Sequence, residues 1–143
     1  MEGYSILERF IKKTVAGVAI TFVVCLGACK DEVTGSNADA IVFPGANVSY
    51  SQHIQPLFQQ ACAVGGCHAG STAQAGLNLS PPSYNNLMNH VPRLVTSGSS
   101  GNSLLVQRLE GTIQPRMPLN GSPLNSNQLN GIRKWIDEGA LNN

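Results

Sequence analysis

The sequence predicts an all-α protein of about four short helices joined by Gly- and Pro-rich loops. Three observations point to this class. After residue 49, apolar side chains recur at helical spacing within short windows. No stretch keeps the two-residue alternation of a half-buried strand. Fifteen Gly and eight Pro interrupt the 143 residues often enough to keep every helix short. Charged residues make up only 12% of the chain, about half the usual share, while the apolar content is an ordinary 42%. That balance argues against a disordered tail or a coiled coil. A net charge of +1 with no basic run argues against a nucleic-acid partner.

The first residues stand outside the fold. Arg9, Lys12 and Lys13 precede an apolar stretch from Thr14 to Ala28, the layout of a secretory signal. That stretch is short of the ~20 residues a membrane span needs. Its end, Leu26-Gly27-Ala28-Cys29, resembles the lipobox of bacterial lipoproteins. The resemblance implies that residues 1–28 are a signal peptide and that Cys29 is acylated after cleavage, so that the protein is lipid-anchored in the cell envelope. The alternative is an uncleaved signal anchor. Residues 29–48 mix polar residues, Gly and Pro without a period and are expected to form a flexible linker. From Cys29 onward, Lys30, Arg93, Arg108, Arg116, Arg133 and Lys134 balance Asp31, Glu32, Asp39, Glu110, Asp137 and Glu138. This neutrality argues against strong electrostatic steering of partners.

The domain is expected over residues 49–143. Its first helix covers roughly 51–62, where Ile54, Leu57, Phe58 and Ala61 form one stripe and Pro56 requires a start or a bend nearby. Ser80-Pro81-Pro82 signals the start of a second short helix with Tyr84, Leu87 and Met88 on one face. A third runs from about Asn102 to Leu109, with Leu104, Leu105, Val106 and Leu109 apolar and Gly111 at its stop. The last is the best specified. Asn125 and Gln128 have capping-box spacing, Leu129, Ile132, Trp135 and Ile136 share a face, and Gly139 ends the helix. Four such helices offer little apolar surface for a core, so something else should complete it.

Cys62-Ala63-Val64-Gly65-Gly66-Cys67-His68 suggests what that is. Two thiols followed at once by a His is the arrangement of covalent haem attachment: the sulfurs add to the two vinyl groups and the adjacent imidazole becomes an axial ligand. The usual spacing places two residues between the cysteines. Here there are four, and Gly65-Gly66 gives the larger loop the freedom to close. Met117, held between Pro115 and Pro118, is the candidate second ligand, with Met88 and His90 as alternatives. His53 is expected at a helix start or on the surface. Arg93 and Arg116 are candidate partners for haem carboxylates, with solvation as the alternative. A disulfide between Cys62 and Cys67 is the competing reading of the thiols. A zinc site is disfavoured because no second closely spaced ligand pair follows.

With these residues together, the region from about 49 to 141 resembles the class I c-type cytochromes. It is closest to the small monohaem cytochrome c-like domains of bacterial lipoproteins. The residues that carry the likeness are Ile54, Pro56, Leu57, Phe58, Cys62, Cys67, His68, Gly76, Leu77, Leu79, Gly101, Ser103, Leu104, Leu105, Met117, Pro118, Trp135, Ile136, Gly139 and Ala140. The resemblance implies one haem c per chain, bound by Cys62 and Cys67 and ligated by His68 and Met117. It implies that the first and last helices meet near Phe58 and Trp135, and that Leu77 and Leu79 pack against the haem. It also implies a Pro carbonyl, from Pro81 or Pro82, as acceptor of the His68 ring proton. The function expected is single-electron transfer to redox partner proteins of the envelope, without catalysis. The alternatives are a haem enzyme or gas sensor with open iron, and a haem-free, disulfide-closed lipoprotein module.

Overall fold

The structure is a computed structural model and describes residues 40–143. The signal segment, Cys29 and the first part of the expected linker lie outside these residues. Among the described residues the fold is helical, without a strand. Its helices are α1 (Gln55–Ala61), α2 (Tyr84–Met88), α3 (Leu104–Glu110) and α4 (Ser126–Asp137), with short 3-10 turns at Gln74–Gly76 and Ser100–Asn102. No helix among the described residues is long and apolar enough to cross a membrane.

Pro56 explains the unusual start of α1. A proline inside an α-helix lacks its N–H and crowds the carbonyl four residues back. The chain widens instead into a π-helical turn, Tyr50–Ile54, in which the Gln55 N–H donates to the Tyr50 carbonyl. Ser49 caps this turn: its Oγ accepts from the Gln52 N–H at 3.2 Å, and its own N–H donates to His53 Nδ1 at 3.1 Å. His53 is thus a helix-start residue. From the other end of the chain, Asn143 adds its side-chain oxygen as acceptor for the Tyr50 N–H and its main-chain oxygen for the Ser51 N–H, each at 2.9 Å.

This turn buries Tyr50, whose ring meets Tyr84 of α2 edge-on at 5.1 Å between centroids, Trp135 of α4 at 5.4 Å and Phe58 of α1 at 6.4 Å. The expected meeting of Phe58 and Trp135 therefore runs through a third ring. The Tyr50 hydroxyl lies 2.7 Å from Ser83 Oγ, and Ser83 donates both its N–H and its hydroxyl to Gln55 Oε1 at 2.9 Å. With the serine proton spent on Gln55, Tyr50 is the donor in the first bond. Burial holds its phenol above the ordinary tyrosine value.

α3 stops at Gly111, as its sequence position implied, and packs against α4. The capping box of α4 is complete. Asn125 Oδ1 accepts from the Gln128 N–H at 3.0 Å, and Gln128 Oε1 accepts from the Asn125 N–H at 3.1 Å. At its far end Asp137 accepts from the N–H and hydroxyl of Ser100 at 2.8 and 2.9 Å, which fastens the loop before α3.

One expectation is corrected. The last residues of the supposed linker, 43–48, are part of the domain. Phe43 and Val48 are buried in the core. The main chain of Phe43 exchanges two hydrogen bonds with the Asn127 amide, at 2.8 and 3.1 Å, and its ring lies on Gly131 in the middle of α4. A Cβ on Gly131 would come within 2.1 Å of that ring. Farther along, the Glu138 carboxylate accepts from the N–H groups of Asn47 and Val48, each at 2.9 Å. The apolar residues of this strap are too widely spaced for a periodic signal, yet they cover a helix face cut flat to receive them.

Two outcomes follow. Gly131→Ala should lower stability by up to about 2 kcal/mol, the ~1–3 kcal/mol of overpacking less the ~1 kcal/mol by which Ala favours a helix over Gly. In a Phe43→Ala background the same change should become neutral or stabilising. Thermal melts of the four proteins check this, and a stabilising Gly131→Ala in the otherwise unaltered chain would sink it. The two strap N–H bonds also hold the Glu138 carboxyl below the ordinary carboxylate range, against an opposing desolvation effect and with Lys134 adding to them. A depressed native value gives stability that is present above the unfolded-state value and lost as pH falls through the native one. The melting-temperature gap between the unaltered chain and Glu138→Gln should therefore be largest at neutral pH and close in acid. A gap independent of pH would remove the carboxylate from the strap's attachment.

Candidate functional site

The chain between Cys62 and Leu79 closes into a compact loop through its own main chain. The His68 N–H donates to the Cys62 carbonyl at 3.1 Å, the Gln74 N–H to Cys67 at 2.7 Å, and the Leu79 N–H to His68 at 2.8 Å. Gly66 makes the turn with φ +79°, a conformation in which a side chain would be strained, so one of the two extra residues between the cysteines serves the purpose expected of it. Cys62 caps α1 through its N–H to the Phe58 carbonyl at 2.9 Å.

This closure orients the imidazole. His68 Nδ1 lies 3.1 Å from the Leu77 carbonyl oxygen. A carbonyl can only accept, so Nδ1 carries the proton and the neutral ring keeps its lone pair on Nε2. The expected acceptor, Pro81 or Pro82, is not used. The tight return from Cys67 to Leu79 brings a nearer carbonyl to the ring, and the two prolines instead border a separate depression with Tyr50 and Gln55.

His68 stands on the wall of a cavity of about 330 Å³, within the size range of cofactor sites. Phe58 and Cys62 enter its wall from α1 and its end, and Leu77 and Leu79 from the closed loop. Leu94 follows from the segment before α3, and Leu104, Leu105 and Leu109 come from α3 itself. The remaining side is the loop after α3, which contributes Pro115 and Met117. The lining is almost entirely carbon. Three of the four expected site residues, Cys62, His68 and Met117, therefore face one space. Cys67, half-buried beside His68, is not part of the wall.

Both cysteines are free thiols. Burial, with a smaller contribution from Cys67, pushes the Cys62 thiol up to about 12. Among the described residues no group of three or more His, Cys, Asp or Glu side chains is placed to hold a metal ion. The alternative second ligands separate clearly. Met88 packs against the core and is absent from the cavity wall. His90 does line the cavity, but its Nδ1 and Nε2 each lie 3.0 Å from a main-chain oxygen, of Pro92 and Ala75 respectively. Met117 has no such competing engagement.

Neither arginine named from the sequence lines the cavity. Arg116 braces the Met117 loop, donating to the Gly121 carbonyl at 2.9 Å, and Arg93 is exposed beside Pro92. The arginine on the wall is Arg108, which sequence reasoning missed. Its spacing from Leu104 and Leu105, four and three residues on, places it on the lining face of α3 and could have revealed it. The carboxylates among the described residues are engaged elsewhere: Glu110 with Arg133, Glu138 with Lys134 and the strap, Asp137 with Ser100. Among the described residues Arg93, Arg108 and Arg116 form no ion pair with a side-chain carboxylate, and they stand at or beside the cavity.

No family model, curated protein or solved structure matches the chain.

The Cys62 thiol, half-buried by exposure but held neutral by desolvation in the cavity wall, gives a direct test of this geometry. Alkylation of the reduced, haem-free protein at pH 8 should modify Cys62 several-fold more slowly than Cys67, because the thiolate is the nucleophile. Mass mapping of timed samples reads the order, and equal rates at the two sites would contradict the desolvation of Cys62.

Proposed function

We propose that this domain binds one haem c and serves as a single-electron carrier of the class I c-type cytochrome kind. One observation supports this above the rest: an imidazole fixed by a carbonyl at Nδ1 shares the wall of an apolar cavity with a thiol five residues before the His-adjacent cysteine and with a thioether from a distant loop. The residues present suit the group. An apolar wall matches a flat hydrophobic ring, and His68 Nε2 and Met117 Sδ are the donor types that ligate its iron on two faces. Cys62 and Cys67 would hold it covalently. Bound there, a haem supplies a reversible one-electron couple.

The chain's own residues set the conditions for that chemistry. The Leu77 carbonyl keeps His68 in the tautomer that can donate from Nε2 and raises its basicity. Met117, a soft neutral donor, would favour the reduced state and raise the reduction potential of a haem it ligated. The leucines of the closed loop and α3 would keep water from it. If His68 and Met117 both ligated the iron, no position would be left for a substrate, which favours electron transfer over the enzyme and gas-sensor readings. The lipobox-like Leu26-Gly27-Ala28-Cys29 supports attachment to an envelope membrane through Cys29, with redox proteins of that compartment as partners.

Mass and optical spectra of residues 30–143, secreted into a periplasm with cytochrome c maturation, test the reading. The expected result is one covalent haem that survives denaturation, with the weak long-wavelength band of a sulfur-ligated ferric haem. A mass two hydrogens below the plain chain and no visible absorption would replace it with the disulfide module. Met117→Ala should keep the covalent haem, lose the sulfur band, lower the potential and let carbon monoxide bind the reduced form. An unchanged potential and spectrum would remove Met117 from the ligand position.

A further inference from the structure

The loop that presents Met117 is short of hydrophobic anchorage. Ile113 and Leu119 are exposed, and no residue from 111 to 121 belongs to the buried core. Polar bonds hold it in place. At its start the Gln107 carbonyl of α3 accepts from the Ile113 N–H at 3.3 Å and from the Thr112 hydroxyl at 3.1 Å, and nearer Met117 the bonds to α3 are made by Arg108. The Arg108 carbonyl accepts from the Met117 N–H at 2.8 Å. The Arg108 guanidinium donates through Nη1 to the Gln114 carbonyl, and the Pro115 carbonyl lies 3.4 Å from the same nitrogen. Arg108 is also the one cationic side chain on the cavity wall. Its guanidinium thus bridges α3 to the segment just before Met117, while its main chain fixes Met117 itself.

We propose that Arg108 is a positioning residue that holds the Met117 thioether on its side of the cavity. The inference rests on the electron-carrier reading, in which departure of Met117 opens the iron. A guanidinium suits the task because it presents several donors in a fixed plane, whereas a lysine offers a single mobile point. The bonds are to a charged donor, so their loss should shift the loop toward its open arrangement by about tenfold, equivalent to about 1.4 kcal/mol.

The experiment is imidazole binding to the ferric holoprotein. An exogenous ligand that binds only when Met117 is off has an apparent affinity proportional to the open fraction. Arg108→Leu retains an apolar stem against the cavity, removes the donors and adds no atom that could ligate iron. It should keep the covalent haem and bind imidazole about tenfold more tightly than the unaltered protein, with Arg108→Lys falling between. Repeated in a Met117→Ala background, Arg108→Leu should have no further effect. Unaltered imidazole affinity in Arg108→Leu overturns the proposal. So does the same tenfold gain without Met117, since Arg108 would then govern access to the cavity and not the thioether. Absence of covalent haem in the unaltered protein would instead remove the electron-carrier reading. Hydrogen exchange at the Met117 N–H then decides the loop's attachment: about tenfold faster exchange in Arg108→Leu upholds it, and unchanged exchange ends it.

Discussion

Tyr50 is the side chain through which the helices of this domain are joined. α1, α2 and α4 are short, and their rings converge on it: Phe58, Tyr84 and Trp135. Its hydroxyl then begins a chain of buried polar contacts. Tyr50 donates to Ser83, Ser83 to Gln55 Oε1, Gln55 Nε2 to the Leu79 carbonyl at 3.1 Å, and the Leu79 N–H to the His68 carbonyl. An unpaired member of such a buried series would cost about 1–3 kcal/mol, so each partner constrains the next. The aromatic centre of the fold and the imidazole at the cavity are in this way set by one another. Among the described residues no buried side-chain polar atom lacks a partner.

The cavity changes what this core means. Leu77, Leu79, Leu94, Leu105 and Leu109 are counted among the buried residues, yet each also borders the same open space. A domain with four helices, the longest only twelve residues, has little apolar surface to spare. Much of that surface lines the cavity, so a ligand bound there would add to the stability of the domain.

Much of this was legible in the sequence wherever the code is local. The capping box of Asn125 and Gln128, the stop at Gly111 and the short helices all follow from residues within a turn or two of each other. Cys62, His68 and Met117, singled out in the sequence, line one cavity. What was hidden depends on distant partners or on backbone atoms. A carbonyl has no letter, so Leu77 as acceptor for His68 could not be separated from Pro81 or Pro82. Gly131 looks like a flaw in α4 until Phe43, far away in the chain, is laid upon it. Tyr50 falls before Pro56, where a conventional helix would not yet have begun, and only the π-helical turn brings it inside.

The placement of charge described above gives residues 40–143 an electrical direction that a count of charges does not show. Arg93, Arg108 and Arg116 stand at or beside the cavity, while Arg133 and Lys134 on α4 are each matched by a glutamate. A body with cations gathered on one side feels, near a charged surface, a torque as well as a net pull. Within roughly a Debye length, about 8–10 Å at ordinary salt, such a torque turns the cationic side toward negative charge before contact is made. Which way these residues present the cavity to such a surface is therefore set by where the cations sit more than by how many there are.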